Sequence, residues 1–318
     1  MAQDQDLLKG VNLFLSSNTQ TGSDARVINW NTCRASGNAA SIPGTPDIYS
    51  EEFPRNFEIK DQLDKGSFGT VYLVGDLDKT DEKRFVAKQI WIKAKQDTID
   101  LLFAETNILL NAKHENIVQM HGYQIKDMSI FIFMEFMQKG TLSKYIKDKN
   151  GLSELKTCLF TKQILEGLLY LHSKNILHLD IKGNNILLED EDKVKLSDFG
   201  LSKIIKMGQD LSSISGGTSR YMAPEVITSE LENEYFSRAD IWSVGCTVVE
   251  MITMKSPSAS VESQCVLFRV GTKKKPVLKL PEHTSKELRE FLDKCFTVDF
   301  KERPSAEELL QTDSFLLA

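Results

Sequence analysis

The chain changes texture near Gly140, and that change restricts its fold more than any other feature. Before it, apolar residues recur at every second position in short runs; after it, they recur at helical spacing. Phe57, Ile59 and Leu63 read as a half-buried strand. After Gly66 and Gly69 comes the strand TVYLVGDL, then a charged turn at Lys79–Lys83 and the strand RFVAKQIW. Two further apolar strands fall near Ile117–Gln124 and Ser129–Met134, and a helix over 97–112 carries Ile99, Leu102, Ile108 and Leu109. Past Gly140, LFTKQILEGLLYLHSK predicts a long helix. ADIWSVGCTVVEMIT is apolar nearly all round, which predicts a helix buried in a core. SKELREFLDKCF and SAEELLQT predict further helices, and no repeat of 20–50 residues recurs. The fold class is therefore α+β: a small antiparallel β-rich part with one helix, joined to a larger α-helical part.

Composition narrows the function. At about 150 residues per domain, 318 residues suit two folded units. Hydrophobic residues at 41% and charged residues at 26% exclude a wholly disordered, collagenous or coiled-coil chain. Lys and Arg number 39 against 45 Asp and Glu, a net charge of −6, which gives no global attraction to nucleic acid or anionic lipid. No apolar run approaches the ~20 residues that span a bilayer, so no membrane insertion is expected. The start, MAQDQDLLKG, lacks the basic region of a signal peptide. Five cysteines, Cys33, Cys158, Cys246, Cys265 and Cys295, form no CxxC pair; free thiols in a reducing compartment, hence a cytoplasmic location, are expected. Between Gly10 and Pro46 the only charged residues are Asp24, Arg26 and Arg34, and residues 1–52 read as a largely flexible segment. Its patch Leu7–Leu15 reads as a frayed tail, with a short amphipathic helix or docking peptide as the alternatives.

The chemistry-bearing motifs begin with Leu63-Asp64-Lys65-Gly66-Ser67-Phe68-Gly69-Thr70-Val71 between two strands. Glycines let backbone amides approach phosphate oxygens, although a lone GxxG turn is more often a plain hairpin. Lys88 follows 19 residues after Gly69 in an apolar strand, where a buried ammonium needs a counter-charge. Glu105, 17 residues on in the helix, would supply it; an exposed surface pair is the alternative. The most specific stretch is His178-Leu179-Asp180-Ile181-Lys182-Gly183-Asn184-Asn185-Ile186-Leu187. Asp198-Phe199-Gly200 comes 13 residues after Asn185, and Gly217-Thr218-Ser219-Arg220-Tyr221-Met222-Ala223-Pro224-Glu225 follows.

In that order, HxDxKxxN, DFG and APE after a glycine-rich loop, strand lysine and helix glutamate resemble a eukaryotic protein kinase over about residues 53–317. The resemblance implies a bilobal protein-kinase fold, with an N-lobe at about 53–137 and a C-lobe at about 138–317. It implies ATP as phosphate donor and Mg²⁺ held by Asn185 and Asp198. Asp180 would orient the substrate hydroxyl and accept its proton, and Lys182 would neutralise the γ-phosphate. Lys88, paired with Glu105, would contact the α and β phosphates, and the backbone of Ser67–Gly69 would cover them. Leu63 and Gly66 belong to the same ATP-binding set; Val71, Val86 and Met134 would pack around adenine, with Glu135–Met137 as the hydrogen-bonding hinge. Asp240 would hold the catalytic-loop backbone, Glu225 would pair with Arg303, and Thr218 would bond near Asp180 and Lys182.

Lys182 and the Gly-Thr before Tyr221 match the Ser/Thr pattern and run against a tyrosine kinase. HLDIKGNNILL, GGTSRYMAPEVI, SRADIWSVGCTVVEMIT and IFMEFM are most similar to mitogen-activated protein kinase kinase kinases, with Ste20-like kinases second. That implies a protein substrate, a downstream kinase kinase; upstream input is expected through adaptor binding by way of the N-terminal segment, through local concentration or through that segment itself. Two positions depart from the pattern. Asp64 stands where the loop's first glycine is usual, and Leu179 replaces the arginine of His-Arg-Asp. Leucine cannot grip a phosphate, so activation is expected to depend less on phosphorylation of Ser212, Ser213, Ser215 or Ser219. The same departures lend support to a pseudokinase scaffold; the presence of Lys88, Asp180, Asn185 and Asp198 favours the enzyme. Lys273–Lys275 read as a solvated loop, and His172 and His283 have no ligand-spaced partners.

Overall fold

The structure, a computed structural model, describes residues 27–28, 54, 56–66, 69–78, 84–91, 110–126, 129–198, 203–204, 220–228, 235–257, 275–276 and 278–317. The chain divides into two compact units, Met1–Lys113 with Gln119–Phe136, and His114–Val118 with Met137–Ala318.

The first unit is built on one sheet. Its strands are β1 (Val27–Ile28), β2 (Phe57–Gly66), β3 (Gly69–Asp76), β4 (Arg84–Trp91), β5 (Met120–Lys126) and β6 (Ser129–Glu135). They lie in the order β1-β2-β3-β4-β6-β5, every neighbour antiparallel. Aromatic and aliphatic residues at alternate positions put one face in the core: Phe57, Val74, Phe85, Ala87, Phe131 and Phe133. Phe57 meets Phe133 edge-on, with ring centroids 4.9 Å apart. The opposite face follows from the register. Val71 pairs with Lys88 and Lys88 with Ile132; Leu73 pairs with Val86 and Val86 with Met134. Paired residues share a face, so Val71, Val86, Lys88 and Met134 stand together on the side away from the phenylalanines.

Leu63 does not fit the expected alternation. Register shifts between Ile59 and Asp61 and between Gln62 and Asp64 break the period of β2, leaving Leu63 45% exposed. At the β2–β3 turn Gly69 has φ +133°, and a Cβ there would lie 2.1 Å from the Gln89 carbonyl oxygen, so only glycine fits. Apart from its last three residues, the helix expected over 97–112 lies outside the described residues. So do the turn at Lys79–Lys83 and, save Val27–Ile28, the segment 1–52.

The second unit contains α1 (Leu142–Asp148), α2 (Glu154–Ser173), α3 (Pro224–Thr228), α4 (Ser237–Thr253), α5 (Lys286–Cys295), α6 (Ala306–Thr312) and α7 (Ser314–Leu317). Short strands accompany them: β7 (Ile176–Leu177) pairs with β10 (Lys203–Ile204), and β8 (Ile186–Leu188) with β9 (Val194–Leu196). Helix α2 starts five residues before its apolar run because Ser153 caps it, accepting the Lys156 N–H at 3.3 Å. Every residue of α4 from Ala239 to Met251 is buried, the all-round burial its sequence predicts. Ile117 makes a lone parallel bridge to Leu196 instead of starting a strand. Asn116 and Val118 also bond the Leu196 backbone, at 2.8 and 2.9 Å, which ties this segment to the helical unit. Among the described residues, no helix is long and apolar enough to cross a membrane.

Candidate active site

The loop between β7 and β8 carries His178, Asp180, Lys182 and Asn185, and α4 anchors it from within the core. The Asp240 carboxylate accepts the backbone N–H of Leu179 at 2.8 Å and of His178 at 3.0 Å, and bonds His172 Nε2 at 2.9 Å. Burial alone would push this carboxyl up, but the His172 and His178 bonds outweigh it and hold the group below its ordinary value. Leu179 sits at φ +63°, a left-handed conformation costing about 1–3 kcal/mol for a non-glycine residue. Its charge-assisted bond to Asp240 offsets that strain.

His178 carries the connection onward. Its Nδ1 accepts the Asp180 N–H at 3.3 Å, so its hydrogen is on Nε2, which donates to the Ser197 carbonyl at 3.0 Å. Ser197 donates its own N–H and its hydroxyl to the Asn185 carbonyl, both at 2.9 Å. The residue immediately before Asp198 is thus held from two sides, and Asp198 turns away at φ +59°.

Asp180 Oδ2 receives Lys182 Nζ at 2.7 Å and Asn185 Nδ2 at 2.7 Å, and Asn185 Nδ2 also donates to the Asp180 carbonyl at 2.9 Å. One carboxylate oxygen is therefore fixed against a cation and an amide. The same bonds turn Asn185 Oδ1 away from Asp180. An amide oxygen and a carboxylate at Asn185 and Asp198 are hard donors of the kind Mg²⁺ takes beside phosphate and water, so the residues present fit that ion.

Glu225 and Arg303 meet as a two-pronged pair at 2.6 and 3.1 Å, with side chains 2% and 0% exposed. Arg303 also donates to the Thr297 and Arg238 carbonyls and lies 5.1 Å from the Trp242 ring centre.

In the sheet unit, Lys88 is 8% exposed on the face shared with Val71, Val86 and Met134. Glu135 exchanges bonds with Gln119: its N–H reaches the Gln119 carbonyl at 3.0 Å, and its Oε1 accepts the Gln119 N–H at 2.7 Å. Glu135 belongs to the first unit and Met137 to the second. Gly66 ends β2, opposite Gly69. Asp64 is exposed, and its carboxylate accepts the Lys65 N–H at 2.7 Å. Ser67, Phe68, Glu105 and Thr218 lie outside the described residues, as do Ser212, Ser213, Ser215 and Ser219.

Sequence reasoning missed three contributors. His172 has no ligand-spaced neighbour, yet it meets Asp240 across 68 positions. Ser197 joins Asn185 to the base of Asp198, and Glu250 bonds the Gly183 N–H at 3.1 Å. The available signal was the two acidic residues, Asp240 and Glu250, inside the otherwise apolar buried stretch of α4, which need partners when buried.

A loop carboxylate gripped by a lysine two residues on and an asparagine five residues on, followed by a second aspartate and accompanied by an antiparallel sheet with a buried lysine, defines a protein kinase domain. A family model described as protein kinase domain matches residues 57–315, and the chain belongs to that family. It is 40% identical over 271 residues to human mitogen-activated protein kinase kinase kinase 3, covering 82% of this chain and 42% of the relative. It is 37% identical over 287 residues to mitogen-activated protein kinase kinase kinase 1 of Arabidopsis thaliana, covering 88% of this chain and 46% of the relative. Human mitogen-activated protein kinase kinase kinase 19 is 38% identical over 266 residues, 80% of this chain and 19% of the relative. The chain spans less than half the length of these relatives.

Proposed function

We propose that this chain is an ATP-dependent Ser/Thr protein kinase whose catalytic unit occupies about residues 53–317. The bonding of Asp180 to both Lys182 and Asn185 carries this reading. It fixes the carboxylate that orients an acceptor Ser or Thr hydroxyl and takes its proton as the phosphoryl group leaves ATP. Lys182 neutralises the γ-phosphate. Lys88 acts on the α and β phosphates, with Glu105 as its partner, while Val71, Val86 and Met134 pack around adenine. Asn185 and Asp198 would hold Mg²⁺, which when bound supplies charge neutralisation to the phosphate oxygens.

A transfer assay with labelled ATP tests the reading. Asp180→Asn and Lys88→Met are expected to lose about 10²-fold or more of the wild-type rate. Equal signal from all three proteins refutes it and leaves the scaffold reading that Asp64 and Leu179 favour.

Similarity to the mitogen-activated protein kinase kinase kinases supports a downstream kinase kinase as substrate in a phosphorylation cascade, and five cysteines without a CxxC pair support a cytoplasmic place. Residues 1–52 are the segment through which we propose an adaptor acts. Phosphorylation of generic proteins, but of none in a panel of purified kinase kinases, counts against this substrate.

A further inference from the structure

The sheet ends irregularly where β5 and β6 meet. Glu135 is the last residue of β6, and Gln119 lies just before β5, the strand beside it. The Glu135 N–H donates to the Gln119 carbonyl at 3.0 Å. Residues that face each other in this way in an antiparallel ladder normally exchange both main-chain bonds, which would send the Gln119 N–H to the Glu135 carbonyl. It goes to the Glu135 side chain, reaching Oε1 at 2.7 Å. A backbone N–H has one hydrogen to give, and the bond to a carboxylate is the stronger use of it. The side chain of Glu135 thus completes the ladder in place of its own carbonyl.

The residues on either side are held as well. Gln119 Nε2 donates to the Met120 carbonyl at 2.7 Å. The Arg84 guanidinium lies 4.9 Å from the centre of the Phe136 ring, a cation–π contact on the residue that follows Glu135. Arg84, Gln119, Glu135 and Phe136 all belong to the first unit. The register says what the carboxylate does not do. Met134 stands with Val71, Val86 and Lys88 on the face assigned to the nucleotide. Glu135 comes next and pairs with Phe85, so its side chain leaves the strand on the phenylalanine face. The carboxylate acts on a base only through the main chain.

We propose that Glu135 is a positioning residue for nucleobase recognition: by taking the Gln119 N–H, its carboxylate keeps the Glu135 carbonyl out of the β5–β6 ladder and directs it to the exocyclic amino group of adenine. The proposal rests on the kinase reading and on the hinge which that reading assigns to Glu135–Met137. A carbonyl only accepts, so it favours a purine with an amino group at that place over one with an oxygen there.

The test compares equilibrium affinities for ATP and for the triphosphate of purine riboside, which is ATP without its exocyclic amino group. Wild type, Glu135→Gln and Glu135→Met are measured. Glutamine keeps an accepting oxygen; methionine keeps the length and removes it. Wild type is expected to hold ATP about three- to tenfold more tightly than the analogue. In Glu135→Met the Gln119 N–H competes for the carbonyl, and the ratio is expected to fall to within about twofold through loss of ATP affinity alone. Glu135→Gln is expected to keep most of the wild-type ratio. A merely structural role would weaken both nucleotides equally, because they differ only in the amino group. Equal weakening, or a wild-type ratio kept in Glu135→Met, overturns the proposal and leaves the kinase reading standing. A wild type that binds both nucleotides equally does the same. A wild type that binds neither brings down the kinase reading, and the positioning role with it. Should Glu135→Met fail to fold, Glu135→Ala, which also lacks the acceptor and adds no bulk, is judged by the same ratio.

Discussion

At the scale of single residues, the most consequential contacts join positions far apart in the chain. Arg303 and Glu225 are both buried, and removing one partner leaves the other charge uncompensated. Arg303→Met is expected to cost about 3–5 kcal/mol in urea denaturation, and Arg303→Met with Glu225→Met to recover a large part of it. If the single variant unfolds at the wild-type midpoint, the pair is not stabilising. Asp240 gives a pH dependence. Its carboxyl is held below its ordinary value in the folded chain, so folding favours the ionised form. That contribution is complete above pH 3.8, the ordinary value, and drains away as pH falls through the lower folded value. The stability gap between wild type and Asp240→Asn should therefore shrink as pH falls below 3.8; a gap that widens in acid contradicts the assignment. Motif order makes Asp180, Lys182, Asn185 and Asp198 legible in the sequence as a set, and the first three meet in the structure. His172, Ser197 and Glu250 were not legible, because hydrogen bonds across 68, 12 and 67 positions leave no periodic trace.

At the scale of elements, legibility follows the strength of the period. The run RFVAKQIW has the bounds of β4, and the buried helix is α4, because both patterns are carried by aliphatic and aromatic residues on the faces that pack. Leu63 was misread because bulges shift the face along β2. The two-residue strands β7 and β10 were invisible, being too short for any period. Helix α4 also sets up a contest between local and tertiary effects. In an exposed helix, replacing glycine by alanine gains about 1 kcal/mol. At Gly245 the new Cβ would lie 2.7 Å from Cys295 Cβ and 3.1 Å from the Phe296 ring, at the end of α5. Overpacking of that kind costs about 1–3 kcal/mol, so Gly245→Ala is expected to lower the melting temperature. Cys295→Ala should not rescue it, since the close atom is Cβ itself; rescue would place the clash at the sulfur instead.

At the scale of the whole molecule, what matters is where the catalytic loop gets its order. An arginine at position 179 would let that loop be held by a phosphate on the segment that follows, through charge-assisted bonds. Leu179 offers only its backbone, and its N–H is already given to Asp240. Among the described residues, restraints on the loop include Asp240 on His178 and Leu179, Glu250 on Gly183, and His178 on Ser197. None of these needs a modified residue. A loop ordered this way gains little from phosphate at Ser212, Ser213, Ser215 or Ser219, so phosphatase-treated protein should keep its transfer rate within about twofold of untreated protein. In Leu179→Arg, by contrast, a guanidinium is available to a phosphate, and treatment should lower the rate further than in wild type. Loss of wild-type activity on phosphatase treatment, mapped by alanine substitution to one of the four serines, would show that the segment and not α4 sets the active arrangement.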